Sequence, residues 1–268
     1  KENVPVSKRI FGEGSFLRPN FIEPYQCKNV LIEGVTIRNT PSWVIHPVLS
    51  ENVIVRSVKV ISHGPNNDGC DPESSKNVWI KDCYFDTGDD CIAIKSGRDD
   101  DGRRLHVPSE NIVIQGCVMK DGHGGVVIGS EVSGDVRNVF AENCEMSSPH
   151  LDRALRLKSN PNRGGTIENI FMRNIKVGEV ASANVHIDLT YDNESGERYP
   201  VVQNIVVENM TSEKSEYVVF IKADPRHPVR NVKVSDSSFK NVKKENFLQG
   251  VEALIFDKVE INGKSVNQ

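Results

Sequence analysis

The chain has 268 residues and a formal net charge of −4, so it is long enough for one large domain or two ordinary ones and carries no overall basic field for nucleic acid. Its hydrophobic content of 37% and charged content of 26% are ordinary for a globular protein, and no apolar run approaches the ~20 residues of a membrane span. None of the six cysteines falls in a CxxC spacing, which argues against a zinc ribbon or a thioredoxin-type motif.

A short phrase, Asn followed by alternating apolar residues, returns along the chain at separations of 23 to 35 residues. A period in this range indicates a repeat architecture, and period-two alternation within each copy indicates strands. We therefore predict an all-β, single-domain, right-handed parallel β-helix over residues 1–268, a solenoid of about eight to nine coils. The copies begin at Asn29, Asn52, Asn77, Asn111, Asn138, Asn169, Asn204 and Asn231.

Stacked coils place equivalent residues one above another. The repeated Asn residues are expected to form a ladder that satisfies backbone groups at the turns. The positions six residues later are mostly apolar, from Val35 onward, and are expected to lie inside the coil. They include Cys83, Cys117 and Cys144, which we expect to be an inert interior stack and not disulfides.

A second strand of each repeat ends at a small hydroxyl residue, as in DGCDPES, DCIAIKS, GGVVIGS and RALRLKS. Aligned on that residue, Asp68 falls over Asp90, and His123 falls over Asp89. Neighbouring strands are ~4.8 Å apart. Three carboxylates and an imidazole are therefore predicted to converge on one patch of the outer wall, although an Asp-Asp pair alone is more often a solvated turn.

The same alignment sorts outward from inward residues by period two. Lys95, Arg156 and Lys158 are predicted to face outward, beside the acidic patch. Gly129 falls between Lys95 and Lys158, which suggests bare backbone on which a ring could lie. A cationic shelf in register with the aspartates favours a binding role over an ordinary solvated strand face.

These motifs resemble the polygalacturonase family of glycoside hydrolases, family 28. That family carries Asn-Thr-Asp, Gly/Gln-Asp-Asp, Gly-His-Gly, Arg-Ile-Lys and then a Tyr. The corresponding residues here are Asn66-Asn67-Asp68, Gly88-Asp89-Asp90, Gly122-His123-Gly124, Arg156-Leu157-Lys158 and Tyr191. Longer strings such as GHGGVVIGSE resemble the bacterial exo-acting branch.

The resemblance implies cleavage of α-1,4-galacturonosidic bonds in polygalacturonate by inversion, with no metal or cofactor. It implies that Asp89 is the general acid and that Asp68 and Asp90 hold and deprotonate the water. Crowding of like charges raises the pKa values of the set, so a proton can stay on Asp89 near neutral pH. The substrate-binding residues it implies are His123, Arg156, Lys158 and Tyr191. It also implies pectic oligosaccharides as partners, and a secreted or periplasmic location, although the chain shows no signal peptide.

Several alternatives stay open at this stage. The substrate could be rhamnogalacturonan or xylogalacturonan. A β-helix polysaccharide lyase would use the carboxylates for a divalent cation, and a carbohydrate-binding β-helix would show no turnover. Residues 97–110 lengthen one coil, either as a solvated charged loop or as a wall closing one end of the groove. The amphipathic helix that normally caps the first coil is expected to be missing or truncated, which leaves the oligomeric state open and permits association through an uncapped end.

Overall fold

The computed structural model describes Lys8 and residues 18–267. The expectation about the N-terminal cap lies outside the described residues. The strands, in chain order, are β1 (Lys28–Glu33), β2 (Thr36–Arg38), β3 (Glu51–Arg56), β4 (Lys59–Ser62), β5 (Lys76–Lys81), β6 (Tyr84–Thr87), β7 (Ile92–Ile94), β8 (Ser109–Gln115), β9 (Val118–Met119), β10 (Val126–Ile128), β11 (Val136–Glu142), β12 (Glu145–Met146), β13 (Arg153–Lys158), β14 (Thr166–Glu179), β15 (Ala183–Asp188), β16 (Val201–Lys214), β17 (Tyr217–Lys222), β18 (Arg230–Phe239), β19 (Phe247–Gln249), β20 (Leu254–Ile261) and β21 (Lys264–Val266).

Apart from β21, these strands stack in parallel on the equivalent strands of neighbouring coils. The repeat strands β1, β3, β5, β8, β11, β14, β16, β18 and β20 form one continuous stack, so the described part of the chain contains nine coils at this position. The shorter strands β2, β4, β6, β9 and β12 form a second stack that merges into the long strands β14 and β16. A separate sheet runs in the order β19-β17-β15-β13-β10-β7, and β21 pairs antiparallel with β20. The expected parallel β-helix is therefore present.

The asparagine ladder is confirmed. All eight repeat asparagines have positive φ, for example 57° at Asn111 and 58° at Asn52. Asn tolerates this left-handed conformation better than most residues because its side chain bonds locally. The seven amides after Asn29 each donate to the oxygen of the Asn one coil earlier, for example at 3.1 Å from Asn52 to Asn29 and 3.2 Å from Asn138 to Asn111. The ladder thus fixes the same turn in every coil.

The interior is a column of apolar side chains. Ile92, Ile94, Leu155 and Leu157 are fully buried, as the alternation predicted. Cys83, Cys117 and Cys144 are buried free thiols, which confirms the inert stack. At the first position of that column the expectation was wrong, because Val35 is 43% exposed at the N-terminal side of the described coils.

Residues 97–110 contain one short, mostly solvent-exposed helix, and the wall at one end of the groove stays a prediction. The helix is α1 (Asp99–Leu105), which ends at His106 in a left-handed conformation. Arg103 of α1 donates to the carbonyl oxygens of Asn162 and Arg163, at 3.2 and 3.1 Å.

Within the described residues, no helix is both long enough and apolar enough to cross a membrane.

Candidate active site

Strand register brings the predicted acidic residues together. Cys70 pairs with Ile92, and Ile92 pairs with Val126, so the residues just before them meet at the edge of one sheet. The carboxyl groups of Asp68, Asp89 and Asp90 each place an oxygen within 4.8 Å of the others. The geometric expectation of a convergent acidic cluster therefore holds in the structure.

The cluster lies outside the coil, yet it is largely buried. Asp68 is 3% exposed and Asp90 is fully buried, whereas the Asp89 side chain retains 17% of its exposure. Burying carboxylates is costly unless cations or hydrogen bonds compensate them. The side chains around each aspartate therefore decide its charge state.

Asp90 is compensated by two cations of β13. The Lys158 Nζ lies 2.7 Å from Oδ2 of Asp90, and the Arg156 Nη1 lies 3.3 Å from its Oδ1. Burial by itself would raise the pKa of Asp90, but Lys158 and Arg156 outweigh burial and lower this pKa below its usual range. Asp90 is therefore an anion throughout the neutral range.

Asp68 is compensated less well. Its nearest cation, the Lys95 Nζ, lies 3.9 Å from Oδ2, and Oδ1 has no hydrogen-bond partner. Burial raises the pKa of Asp68 to about 7, against the smaller opposing effect of Lys95. Burial thus brings the pKa of the Asp68 carboxyl near neutral, and the expected proton on Asp89 stays a prediction.

Asp89 faces the solvent side of the cluster. Its Oδ1 accepts from the backbone N–H of Asp90 at 3.0 Å and contacts Nδ1 of His123 at 3.0 Å. The hydrogen bond to Asp89 raises the pKa of His123, so the imidazole is held as a cation to a higher pH than usual. His123 lies where the alignment predicted, over Asp89, and its backbone N–H donates to the Asp89 carbonyl at 3.1 Å.

Tyr191 covers the cationic shelf. Its ring centroid lies 5.6 Å from Cζ of Arg156 and 5.3 Å from Nζ of Lys158. Gly129 does not offer an open platform, so that expectation was wrong. A Cβ at Gly129, where φ is 103°, would lie 2.0 Å from the carbonyl oxygen of Lys158. Glycine is therefore required there by the close approach of two backbones.

Three residues of the site, Trp43, Glu131 and Arg163, escaped the sequence argument, and they surround the predicted Lys95. Lys95 is buried, lies 3.0 Å from Glu131 and sits 4.6 Å from the ring centroid of Trp43. Arg163 is 1% exposed and lies 3.6 Å from Glu131. Alternation did place Lys95 outward, which was the available signal. The other three come from turns of variable length, which cannot be aligned by strand period.

Together these residues enclose a cleft of about 240 Å³. The trio of aspartates does not offer a free set of anionic ligands to a divalent cation, because both oxygens of Asp90 are engaged by Lys158 and Arg156. The cleft is lined by Trp43, Asn66, Asp68, Asp89, Lys95, Arg98, His123, Ser130, Glu131, Lys158, Arg163, Tyr191 and Asp192.

Comparison with known proteins gives this geometry its context. Residues 13–258 match the family described as Glycosyl hydrolases family 28. The chain belongs to glycosyl hydrolase family 28. The resemblance seen in the motifs is therefore confirmed over nearly the whole chain.

Solved and curated relatives agree with this assignment. A crystal structure of a hyperthermoactive exopolygalacturonase from Thermotoga maritima is 47% identical with a TM-score of 0.93, covering 98% of this chain and 59% of that one. A probable polygalacturonase from Vitis vinifera is 30% identical over 84% of this chain and 47% of its own length. An exo-poly-alpha-D-galacturonosidase from Dickeya chrysanthemi is 29% identical over 89% of this chain and 44% of its own.

The family's fold confirms the right-handed parallel β-helix expected from the repeats. The chain spans about half the length of the first of these curated relatives.

Proposed function

We propose that this chain hydrolyses α-1,4-galacturonosidic bonds of polygalacturonate by single displacement. The observation that carries the proposal is the convergence of three carboxylates within 4.8 Å beside two cations of one strand. Glycoside hydrolysis requires a carboxylic acid at the leaving oxygen and a carboxylate for water. The family and the names of the relatives support this reaction class.

In this reaction Asp89 is the general acid, because it is the most exposed of the three carboxyl groups and faces the cleft. It gives its proton to the glycosidic oxygen as the bond to the anomeric carbon breaks. His123 holds the Asp89 carboxyl in place through their 3.0 Å contact. His123 is itself half-exposed, so it also lies within reach of a bound sugar.

Asp68 and Asp90 act on the water that attacks the anomeric carbon. A general base works best when its pKa lies near the working pH, and the pKa of Asp68 is raised to about 7. Asp68 therefore takes the proton released by the water. Asp90, held as an anion by Lys158 and Arg156, accepts a hydrogen bond from the same water and orients it.

The stereochemistry follows from which group attacks. The family supports inversion, in which water attacks directly. The closest carboxyl oxygens here lie within 4.8 Å, shorter than the roughly 6.5–9.5 Å separation of most inverting pairs. We attribute the difference to a trio in which two aspartates share one water. NMR of the first product decides the point, because inversion of an α-linkage yields the β-anomer, whereas an α-anomer would indicate a covalent intermediate.

Recognition of the substrate carboxylate falls to Arg156 and Lys158, under the ring of Tyr191. Both cations already contact Asp90, so a galacturonate carboxylate would share them with it and would not replace it. The pectic polymer and its oligosaccharides are the proposed partners. Since that polymer lies outside cells, we also propose a secreted or periplasmic location.

Asp89→Asn tests the acid assignment. We expect turnover of polygalacturonate to fall by roughly 10²–10⁴-fold because the leaving oxygen loses its proton donor. Binding of oligogalacturonate, measured by calorimetry, should be retained, since Asn keeps the side-chain volume. New reducing ends give the rate, and Asp101→Asn, on the exposed face of α1, is the matched control. Unchanged turnover would contradict the assignment of Asp89 as the general acid.

The same assay separates the alternatives. A lyase would produce an unsaturated uronate with ultraviolet absorption and would stop on addition of a chelator. A carbohydrate-binding β-helix would bind without turnover and would be indifferent to Asp89→Asn. Rhamnogalacturonan and xylogalacturonan hydrolases would show higher kcat/KM on those polymers than on polygalacturonate.

A further inference from the structure

A fourth aspartate lies behind the three that line the acidic cluster. Asp71 is fully buried, and neither of its carboxyl oxygens has a hydrogen-bond donor among the described residues. An ionised carboxylate in that position would lack hydrogen bonds altogether, which strongly disfavours the charged form. Its backbone N–H donates to the carbonyl of Ile45 at 2.7 Å, so the backbone at Asp71 is held in the stack of coils.

The carboxyl of Asp68 lies beside that of Asp71, close enough for the two to share a hydrogen bond. Oδ1 of Asp68 also lacks a donor. Two carboxylates cannot bond to each other without a proton. One proton between them satisfies an oxygen on each side chain at once.

The charged groups around Asp71 determine which member keeps this proton. Asp68 and Asp90 are the acidic neighbours, and Lys95 is the cationic one. His46 occupies the equivalent position one coil earlier, but both of its ring nitrogens are engaged, by Glu73 at 2.7 Å and by Asn20 at 2.9 Å. The Lys95 ammonium lies closer to Glu131, at 3.0 Å, than to Asp68. The buried Asp71 therefore faces more negative than positive charge.

We propose that Asp71 is a positioning residue that works as a neutral carboxylic acid, donating its proton in a hydrogen bond to Asp68. The inference rests on the proposed function, in which Asp68 is the base. The bond fixes the Asp68 carboxyl with one oxygen toward Asp71 and leaves the other for water. It also stabilises the ionised form of Asp68, because a neutral donor adds no negative charge. Burial raises the pKa of Asp71 well above its ordinary value, which agrees with this role.

Two substitutions separate a hydrogen-bond donor from a charge. Asp71→Asn keeps the volume and a neutral N–H donor, so kcat should stay within about threefold of wild type. Asp71→Ala removes the donor. We expect it to lower kcat roughly 10–100-fold with little change in KM, and to move the acidic limb of the kcat profile to higher pH. Glu73→Gln, two residues away and paired with His46, is the matched control.

A direct measurement of the proton makes the test independent of turnover. At about pH 9, well above the pKa of Asp68, the infrared spectrum of the full chain should retain a carboxylic-acid C=O band. That band should vanish in Asp71→Asn and persist in Glu73→Gln. An inactive chain that still shows the band would count against the proposed function and leave the Asp71 assignment standing.

Two results would overturn the inference. Wild-type protein without an acid C=O band at that pH would mean that Asp71 is ionised. Equal impairment of Asp71→Asn and Asp71→Ala would mean that charge, and not the hydrogen bond, matters. Thermal unfolding of each variant, followed by circular dichroism, shows whether it is folded, and the infrared comparison stands on Asp71→Asn alone if Asp71→Ala fails to fold.

Discussion

At the scale of single residues, the aspartates of the site differ in how well nearby cations compensate their negative charge. Asp90 receives two close cations, whereas Asp68 receives one at 3.9 Å. The result is a pKa that is lowered at Asp90 and raised to about 7 at Asp68. Pushing the pKa values of neighbouring carboxyls apart is how one cluster supplies both a permanent anion and a base that titrates.

Lys158→Ala tests this arrangement through its pH dependence. Lys158 lowers the pKa of Asp90 and also that of Asp68, so removing the ammonium raises both pKa values. Asp68 is the base in the proposed reaction, so the acidic limb of kcat/KM should move to higher pH. KM for oligogalacturonate should also rise roughly tenfold, because a charged hydrogen bond to substrate is lost.

The control for that experiment is Lys176→Ala, which removes an exposed ammonium on another face of the coil. It should change neither the pH limb nor KM. An acidic limb that stays in place in Lys158→Ala, with KM unaltered, would show that Lys158 neither lowers the pKa of the base Asp68 nor binds the uronate.

The raised pKa of Asp68 leads to a second prediction, which concerns the stability of the fold. The folded-state pKa of about 7 exceeds the ordinary value of 3.8, so the folded protein holds a proton that the unfolded chain releases between these values. Stability therefore falls as pH rises from about 4 to 7. Asp68→Asn removes this loss, and we expect it to be more stable than wild type at pH 8 by on the order of 1 to 3 kcal/mol, with little difference at pH 4.

Calorimetric unfolding of Asp68→Asn and wild type at both pH values measures the effect. Asp101→Asn, whose carboxyl is 72% exposed, should show no pH-dependent difference. A gain at pH 4 equal to that at pH 8 would mean that packing, and not the buried charge, explains it.

At the scale of elements, the turns are as decisive as the strands. Asn111 adopts a left-handed conformation, donates to Asn77 at 3.3 Å and accepts from Asn138 at 3.2 Å. Asn111→Ala should destabilise the protein by about 2 kcal/mol, from backbone strain and lost hydrogen bonds. Asn111→Gly relieves the strain and should lose only about 1 kcal/mol. Denaturant unfolding compares the two, and equal losses would show that strain plays no part.

The contrast between strands and turns also explains what the sequence could predict. Period-two alternation and a shared hydroxyl terminus placed Asp68, Asp90 and Lys158 correctly, because stacked parallel strands leave little freedom of register. Trp43, Glu131 and Arg163 lie in connections whose length varies from coil to coil, so no spacing rule reaches them. The charge states were also beyond reach, since they depend on distances of a few ångströms between residues far apart in the chain.

At the scale of the whole molecule, the coils form a platform and the connections shape the cleft. Arg98 lines the cleft directly at the start of α1. The buried Arg163, which also lines the cleft, holds α1 there through Asp99 at 3.2 Å. If α1 closes this end of the cleft, we predict that a polymer cannot extend far past the cleaved bond and that terminal units are released.

The size of the early products tests this view of the cleft. Wild type acting on polygalacturonate should release only short terminal products, with little early loss of viscosity. Arg163→Met removes the ion pair with Asp99 while keeping a long side chain, so α1 should loosen and longer products should appear. Arg104→Met, on the same helix but paired only with the exposed Asp101, should leave the products unchanged. Hydrogen exchange in residues 99–105 reports whether α1 has loosened, and an unchanged product ladder despite faster exchange there would show that α1 does not limit the polymer.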